Sequence, residues 1–441
     1  MPRFDVAIVG AGPAAIGALW GLQSAQGGSR TVAVLTGETG AGDMPRPDST
    51  WVHPKVRKVI FEARMQRVIG QFVPTNSLGK SYYLFETACR GGLTSFWGQQ
   101  FVRLLKPDFV AAMPGQTFDD YEAAFDLIEG RLGLAQPEAI DGWTLPDGFD
   151  LVIRPTTIVE PIDSFVHQFA LASAGTTVIR QRLTRLERAS QSYRLVFEDG
   201  EGIEAGRVIL ASGVIGTARI LMRSVPELRH ARFRDHMPVF LHSVSLGNRH
   251  CRTARRQSTN MNMASIEVTR AGQLCAFLSI YNVRKMPANL LLAHFGLPML
   301  GALSGRNLEI LPLPFYPVQT WTRDSFVEID LERADEEIVA RRCRFQDNPE
   351  GLQLARTALK ACGLREIRLS PTPAGMGFHY HALQLSEDGV AYDSARSQIT
   401  RLFGDDVLIV DGSVLPWLSP RPHTETLVAN ALISTRSMMN G

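Results

Sequence analysis

An α/β fold is predicted, with a nucleotide-binding sheet assembled from separated segments and an inserted antiparallel sheet as a second unit. Three observations predict it. The chain opens with a strand, a glycine turn, a helix and a second strand; an all-apolar strand returns near residue 208; and strand patterns dominate from about 239 to 345.

The opening is FDVAIV (4–9), a β-branched run, followed by GAGPAAIGALWGLQ (10–23), whose apolar spacing becomes helical, and by TVAVLT (31–36). In GAGPAA, Gly10 allows the tight turn, Gly12 lets the backbone approach a pyrophosphate, and Ala15 keeps helix and strand close. The helix N-terminus then faces the negative charge. Thr36 stands where an acidic ribose ligand is usual, and Glu38, two residues later, is the candidate for that contact.

From 37 to 80 the chain is rich in Gly, Pro and polar residues and reads as a long surface excursion. FDDYEAAFDLIEGRLGL (118–134) reads as an amphipathic packing helix with Asp119 or Asp120 near its start. Around 161–174 a further helix precedes short strands that meander back to VILASGVIGTARIL (208–221). There Ala211, Ser212 and Gly213 let the chain pass close to a dinucleotide without side-chain collision. The strand-rich region then suggests an antiparallel sheet, and GLQLARTALKACGL (351–364) a helix leading back to the C-terminal block. The expected units are 1–110, 160–238 and 375–441 for cofactor, and 111–159 and 239–374 for substrate.

Composition narrows the function. With 46 basic and 44 acidic side chains the formal charge is +2, which gives no broad basic field for nucleic acid. The cluster Arg249, Arg252, Arg255 and Arg256 reads as a solvated loop. Five scattered cysteines without CxxC spacing, and no leader-like start, point to the reducing cytoplasm. The apolar stretch 287–303 is short for a spanning helix and carries His294 and Pro298, so a buried or lid helix is expected rather than membrane contact. No metal site is expected, because the HxH pair His379 and His381 lacks carboxylate or thiolate partners at a metal-ligand spacing.

Four blocks in order, GAGPAA, CRGGLTSFWG (89–98), VILASGVIGTARIL with RFRDHMP (232–238), and HYHALQL with VLIVDGSVLP and PHTET, resemble the glucose–methanol–choline (GMC) oxidoreductases. The resemblance implies a Rossmann-type domain binding FAD, with its ADP half on Gly10, Gly12 and Ala15 and adenine contacts near Leu183. It implies further cofactor contacts at Gly91, Gly92, Thr94, Trp97 and Gly98, at Ala211 and Gly213, at Asp411 and Gly412, and at Thr424. FAD is expected to be non-covalent, since Gln99 and Gln100 follow the Trp-Gly pair where attached relatives carry His or Cys, and Cys89 reads as a small buried residue.

The resemblance also implies a histidine pair facing flavin N5, with a small-molecule alcohol as substrate, a sugar or polyol among the candidates. His381 matches the first position and His423 the second, with Pro422 as the alternative if the alignment shifts by one. His379 is either a supporting group or the base itself. Relatives follow the first histidine with Gly-Thr or Gly-Gly, whereas this chain has Gln384 and Leu385. The chain is short for the family, which leaves room for a partner subunit; the electron acceptor stays open. So do a non-redox lyase of the same fold and a degenerate FAD-binding protein. A nicotinamide-dependent dehydrogenase explains the N-terminal motif but neither the return strand nor the C-terminal block.

Overall fold

The computed structural model describes residues 1–25, 29–37, 66–72, 82–86, 90–96, 100–157, 159, 164–236, 238–245, 262–281, 315–334, 337–371 and 379–441. The expectations for Glu38, Trp97, Gly98, Gln99, Cys89, the basic cluster and the 287–303 stretch lie outside those residues. Among the described residues the protein is a mixed α/β fold of eight helices and several sheets.

The first sheet has a parallel core in the order Thr177–Ile179, Val32–Leu35, Arg3–Val9, Gly202–Leu210. Val6 to Val9 and Val208 to Leu210 are at most 4% exposed, as expected of parallel strands covered on both faces. The long Gly202–Leu210 strand, paired with Arg3–Val9 on one edge, serves two partners on the other. Its first half pairs antiparallel with Tyr193–Phe197, and its second half pairs parallel with Val407–Ile409. The C-terminal segment therefore enters the same sheet as the N-terminal one.

Helix Pro13–Ser24 starts with proline, whose missing N–H costs nothing at that position. It is apolar on every side because it is sandwiched: Ile16 and Leu19 pack in one core with Val428, Ala431 and Leu432 of helix Thr424–Asn440. A side chain at Gly17 would meet the Val428 carbonyl, so small residues permit this close crossing. Helix Phe118–Leu132 joins the same core through Tyr121, Phe125 and Ile128. Thr117 caps it by accepting from the Asp120 N–H at 3.1 Å, and Gly133 ends it in the left-handed conformation.

The strands expected as one sheet divide between two. A seven-stranded antiparallel sheet runs Arg365–Pro371, Val239–Val244, Phe315–Thr322, Gln273–Tyr281, Asn262–Arg270, Phe149–Pro155, Asp141–Leu145. One of its faces, with Leu241, Ile266, Leu278 and Val318, is covered by Ala355, Ala358 and Leu359 of helix Pro349–Ala361. By contrast, Phe326–Ala334 leaves it to pair with His230–Asp235, carrying Glu337–Gln346 on its other edge, and His230–Asp235 also pairs with Tyr380–Ser386. The physical reason is the alternation of Val327, Ile329 and Leu331, whose apolar face completes the core beneath the first sheet. This five-stranded sheet bridges the two expected units. No helix among the described residues is long and apolar enough to cross a membrane.

Candidate active site

Both ends of the chain meet at the carboxyl edge of the parallel strands, where open α/β sheets bind ligands. Gly10 accepts this position only as glycine: its φ is +131°, and a Cβ there would collide with the Ala211 carbonyl group. Across the turn, the Gly91 N–H donates to the Ala11 carbonyl at 2.8 Å, and a Cβ on Gly92, at φ +57°, would come within 3.0 Å of the Gly12 Cα. The two glycine segments thus form one side-chain-free cradle, and Thr94 closes its own turn by donating to the Gly91 carbonyl.

Ala15 is fully buried between helix and sheet. Thr36 follows the second strand beside this cradle, 4% exposed, with Oγ1 lacking any hydrogen-bond partner among the described residues. An orphaned hydroxyl at that place, together with the bare backbone of the cradle, fits the ribose and pyrophosphate of a dinucleotide. Leu183 opens the outer strand Leu183–Arg188 with its side chain in the core. Gly213 begins its helix at φ +75° with open space around it.

The Asp411 turn connects this cradle to the histidines. Asp411 is buried; its carboxylate accepts from Thr217 Oγ1 at 2.6 Å and from the Ser413 N–H at 2.9 Å, so it locks the turn to the Gly213–Ser224 helix. Burial raises its pKa against those hydrogen bonds. A Cβ on Gly412 would run into the Tyr380 carbonyl, and the Ala382 N–H donates to the Leu415 carbonyl at 2.9 Å. The histidine-bearing strand is held directly on this turn.

Of the three histidines singled out by the sequence, the fold brings His379 and His423 together, with ring centroids 4.3 Å apart and planes tilted by 57°. The His379 N–H donates to buried Asp235 Oδ1 at 2.9 Å, and Trp321 stacks parallel to its ring, 5.6 Å between centroids. His381 lies behind this pair. It is 3% exposed, pairs with Arg234 in the strand register, and its Nδ1 is 3.0 Å from the His379 carbonyl oxygen. A carbonyl can only accept, so that Nδ1 carries the proton. His236 is likewise buried, its Nε2 donating to the Thr322 carbonyl at 3.1 Å.

Gln384 and Leu385 are not beside this pair. A register shift opposite Arg232 to Arg234, with Ala382 at φ +55°, turns the strand so that Leu383 and Leu385 enter the core and Gln384 pairs with Arg232 farther along. The left-handed backbone that a glycine would supply is met here by alanine.

His423 is positioned from outside its helix. It is the residue just before Thr424–Asn440, and the loop leading to it is tied to the seven-stranded sheet. Arg421 Nη2 pairs with Glu267 at 2.8 Å, Ser419 donates to buried Asp108 at 3.1 Å, and Asp108 accepts from Arg323 at 2.9 Å. Thr424 is buried at the first position of the helix. Gln100, read from the sequence only as evidence against covalent attachment, is buried and exchanges hydrogen bonds with Ser279 at 2.6 and 2.9 Å.

Electrostatically this is a nest of neutral imidazoles. Burial pushes His236 down to about 4 and His381 and His423 down to about 3, and it drives His379 well below the ordinary range with help from His423, His236 and His381. His379 and His423 remain half-buried, with Nδ1 enclosed in both.

Depressed values carry a sign for stability. The unfolded chain takes up protons near pH 6.5 while the folded chain resists them, so stability is fully present above that pH and falls as pH drops towards the folded values. Each histidine contributes at most about 1.4 kcal/mol per pH unit. Denaturant titrations are expected to show unfolding free energy declining between about pH 6.5 and pH 4.5, and less steeply in His236→Asn. A flat profile would contradict the burial of these rings.

Sequence reading missed Trp321, Asp235, Arg421 and Glu267. Asp235 lay within the RFRDHMP block but drew no role. Trp321 and Glu267 sit on strands without a motif; Trp321 reaches His379 by stacking, and Glu267 reaches the loop before His423 through Arg421. Among the described residues no group of His, Cys, Asp and Glu is arranged to hold a metal ion.

Fold and site together define a Rossmann-type α/β protein with a bare glycine-backbone cradle and an antiparallel-sheet wall. Among solved structures it is similar to pyridoxine 4-oxidase from Mesorbium loti, with a TM-score of 0.55 and 14% identity over 98% of each chain. No family model matches the sequence, and no curated protein does. The likeness is one of fold.

Proposed function

We propose that this chain is an FAD-dependent oxidoreductase of the GMC type, oxidising the CH–OH group of a small alcohol. The observation that carries the reading is the His379–His423 pair, 4.3 Å apart at the sheet edge that also holds the glycine cradle. Gly10, Gly12, Gly91 and Gly92 would hold the pyrophosphate without side chains in the way, and Thr36 Oγ1 would meet the ribose. FAD, when bound, supplies a two-electron acceptor that takes the carbinol hydride at N5.

The protein's own part is proton handling. His379, neutral at pH 7, would take the substrate hydroxyl proton at Nε2, while His423 holds the same oxygen by a hydrogen bond. Asp235 fixes the His379 backbone, and His381, with its Nδ1 proton on the His379 carbonyl, acts behind the pair. This assigns the base to His379 in preference to His381. The attachment we propose is non-covalent.

The test is a visible spectrum of the purified protein, then anaerobic addition of alcohols and sugars, with pyridoxine included because of the structural neighbour's name. Bleaching of a bound flavin by an alcohol is the expected result. A yellow protein that no alcohol bleaches would favour a lyase, and a colourless protein that takes up no FAD would remove both enzyme readings.

A further inference from the structure

A base that takes a proton becomes a cation, and the surroundings of His379 make that costly. The ionisable groups that face its ring are His423 from the start of the last helix, His236 from the turn after His230–Asp235, and His381 from its own strand. None of the three carries a negative charge to offset the new cation, and burial, which strips it of water, is the largest cost. Asp235 meets the His379 backbone N–H, and no carboxylate among the described residues hydrogen-bonds either ring nitrogen. Among the described residues, then, no triad-like acid, the usual stabiliser of such a cation, meets the imidazole.

What does lie against the ring is Trp321. The two planes are within 1° of parallel and their centroids 5.6 Å apart, inside the reach of a cation–π contact. Trp321 is itself held rigidly. It is 3% exposed, packs with Phe277 and Leu274, and stands opposite Phe277 in the sheet register. It comes from the Phe315–Thr322 strand, whereas His379 precedes Tyr380–Ser386, so the sheet wall and the histidine strand meet at this stack.

We propose that Trp321 is a positioning residue for His379: its indole face fixes the ring towards His423 and stabilises the imidazolium formed when the substrate hydroxyl proton is taken. The inference rests on the reading of His379 as base. It makes Trp321 the counterpart of the absent carboxylate, acting through its π face.

The experiment compares Trp321→Leu and Trp321→Phe with the parent, each holding its flavin, by anaerobic bleaching rate across pH and by NMR titration of 13C-labelled histidine. Trp321→Leu is expected to bleach roughly tenfold more slowly and to shift the His379 titration down by roughly one pH unit, because the cation loses its partner. Trp321→Phe, which keeps a weaker π face, is expected to lie between the two. Equal losses in both variants with no shift of the titration would mean that Trp321 only fills space, and the proposal fails. A parent-like Trp321→Leu overturns it as well. Should either variant lose flavin, the NMR shift on the cofactor-free forms still decides. His379→Ala separates the two readings: if it bleaches like the parent, the base assignment falls, and if it does not while Trp321→Leu does, only the present inference falls.

Discussion

Alanine at position 379 is expected to slow anaerobic flavin bleaching by roughly 10²–10⁴-fold, the range that a positioned base supplies. The same change at 423 is expected to cost somewhat less, since it removes a hydrogen bond to the substrate oxygen and leaves the base in place. His381→Ala separates geometry from motif. That ring is 3% exposed and its Nδ1 is tied to the His379 carbonyl, so its loss is expected to reduce stability by about 1–3 kcal/mol and the rate by less than about tenfold. The measurements are stopped-flow bleaching for rate and denaturant midpoints for stability, on the same preparations. If His381→Ala bleaches more slowly than His379→Ala, the base is His381 and the facing pair at 4.3 Å is a support.

The reason for that reversal of emphasis between sequence and structure lies in one residue. Aligned by motif, His381 in Tyr-His-Ala-Leu-Gln matches the family's first histidine most closely, although Gln384 and Leu385 replace the glycines that follow it. Yet Ala382 adopts φ +55°, and the strand register shifts across it, so the side chains before and after it face differently than a continuous strand would place them. Such a bulge has no signature when the left-handed residue is not glycine. Local signals fared better where the chemistry of a position is backbone-only. The Gly10 turn, the VILASG return and the Asp411 turn were legible because close approach of backbones demands small residues, and the structure has those segments in contact. The wall of the site was not legible. Trp321, Glu267 and Ser279 sit on ordinary strands, and what makes each of them relevant is a neighbour that lies 58, 154 or 179 residues away: His379, Arg421 and Gln100. The alternation of Val327, Ile329 and Leu331 did predict a strand, but which sheet it joins depends on the core it completes.

Gly10→Ala is expected to abolish FAD retention, and a control shows why the effect is more than backbone strain. Two costs fall together at this position. The φ of +131° is disfavoured for alanine, and the new Cβ would be 2.6 Å from the Ala211 carbonyl carbon and closer still to its oxygen. Neither partner can yield: the Gly10 N–H donates to the Leu35 carbonyl at 2.8 Å, and the Ala211 N–H to the Val9 carbonyl at 2.8 Å, so both are pinned within the parallel ladder. Strain of about 1–3 kcal/mol and overpacking of similar size add, and the relief open to the chain is to move the turn proposed to cradle the pyrophosphate. Gly133→Ala carries strain alone. Its φ is +64°, but nothing lies within 4 Å of the added carbon, and the expected loss is about 1 kcal/mol with flavin content unchanged. The ratio of flavin to protein absorbance after gel filtration, with thermal melts of both variants, checks the pair. A Gly10→Ala protein that keeps its flavin and melts with the parent would show that the cofactor does not depend on this turn, and the placement of the pyrophosphate would have to be abandoned.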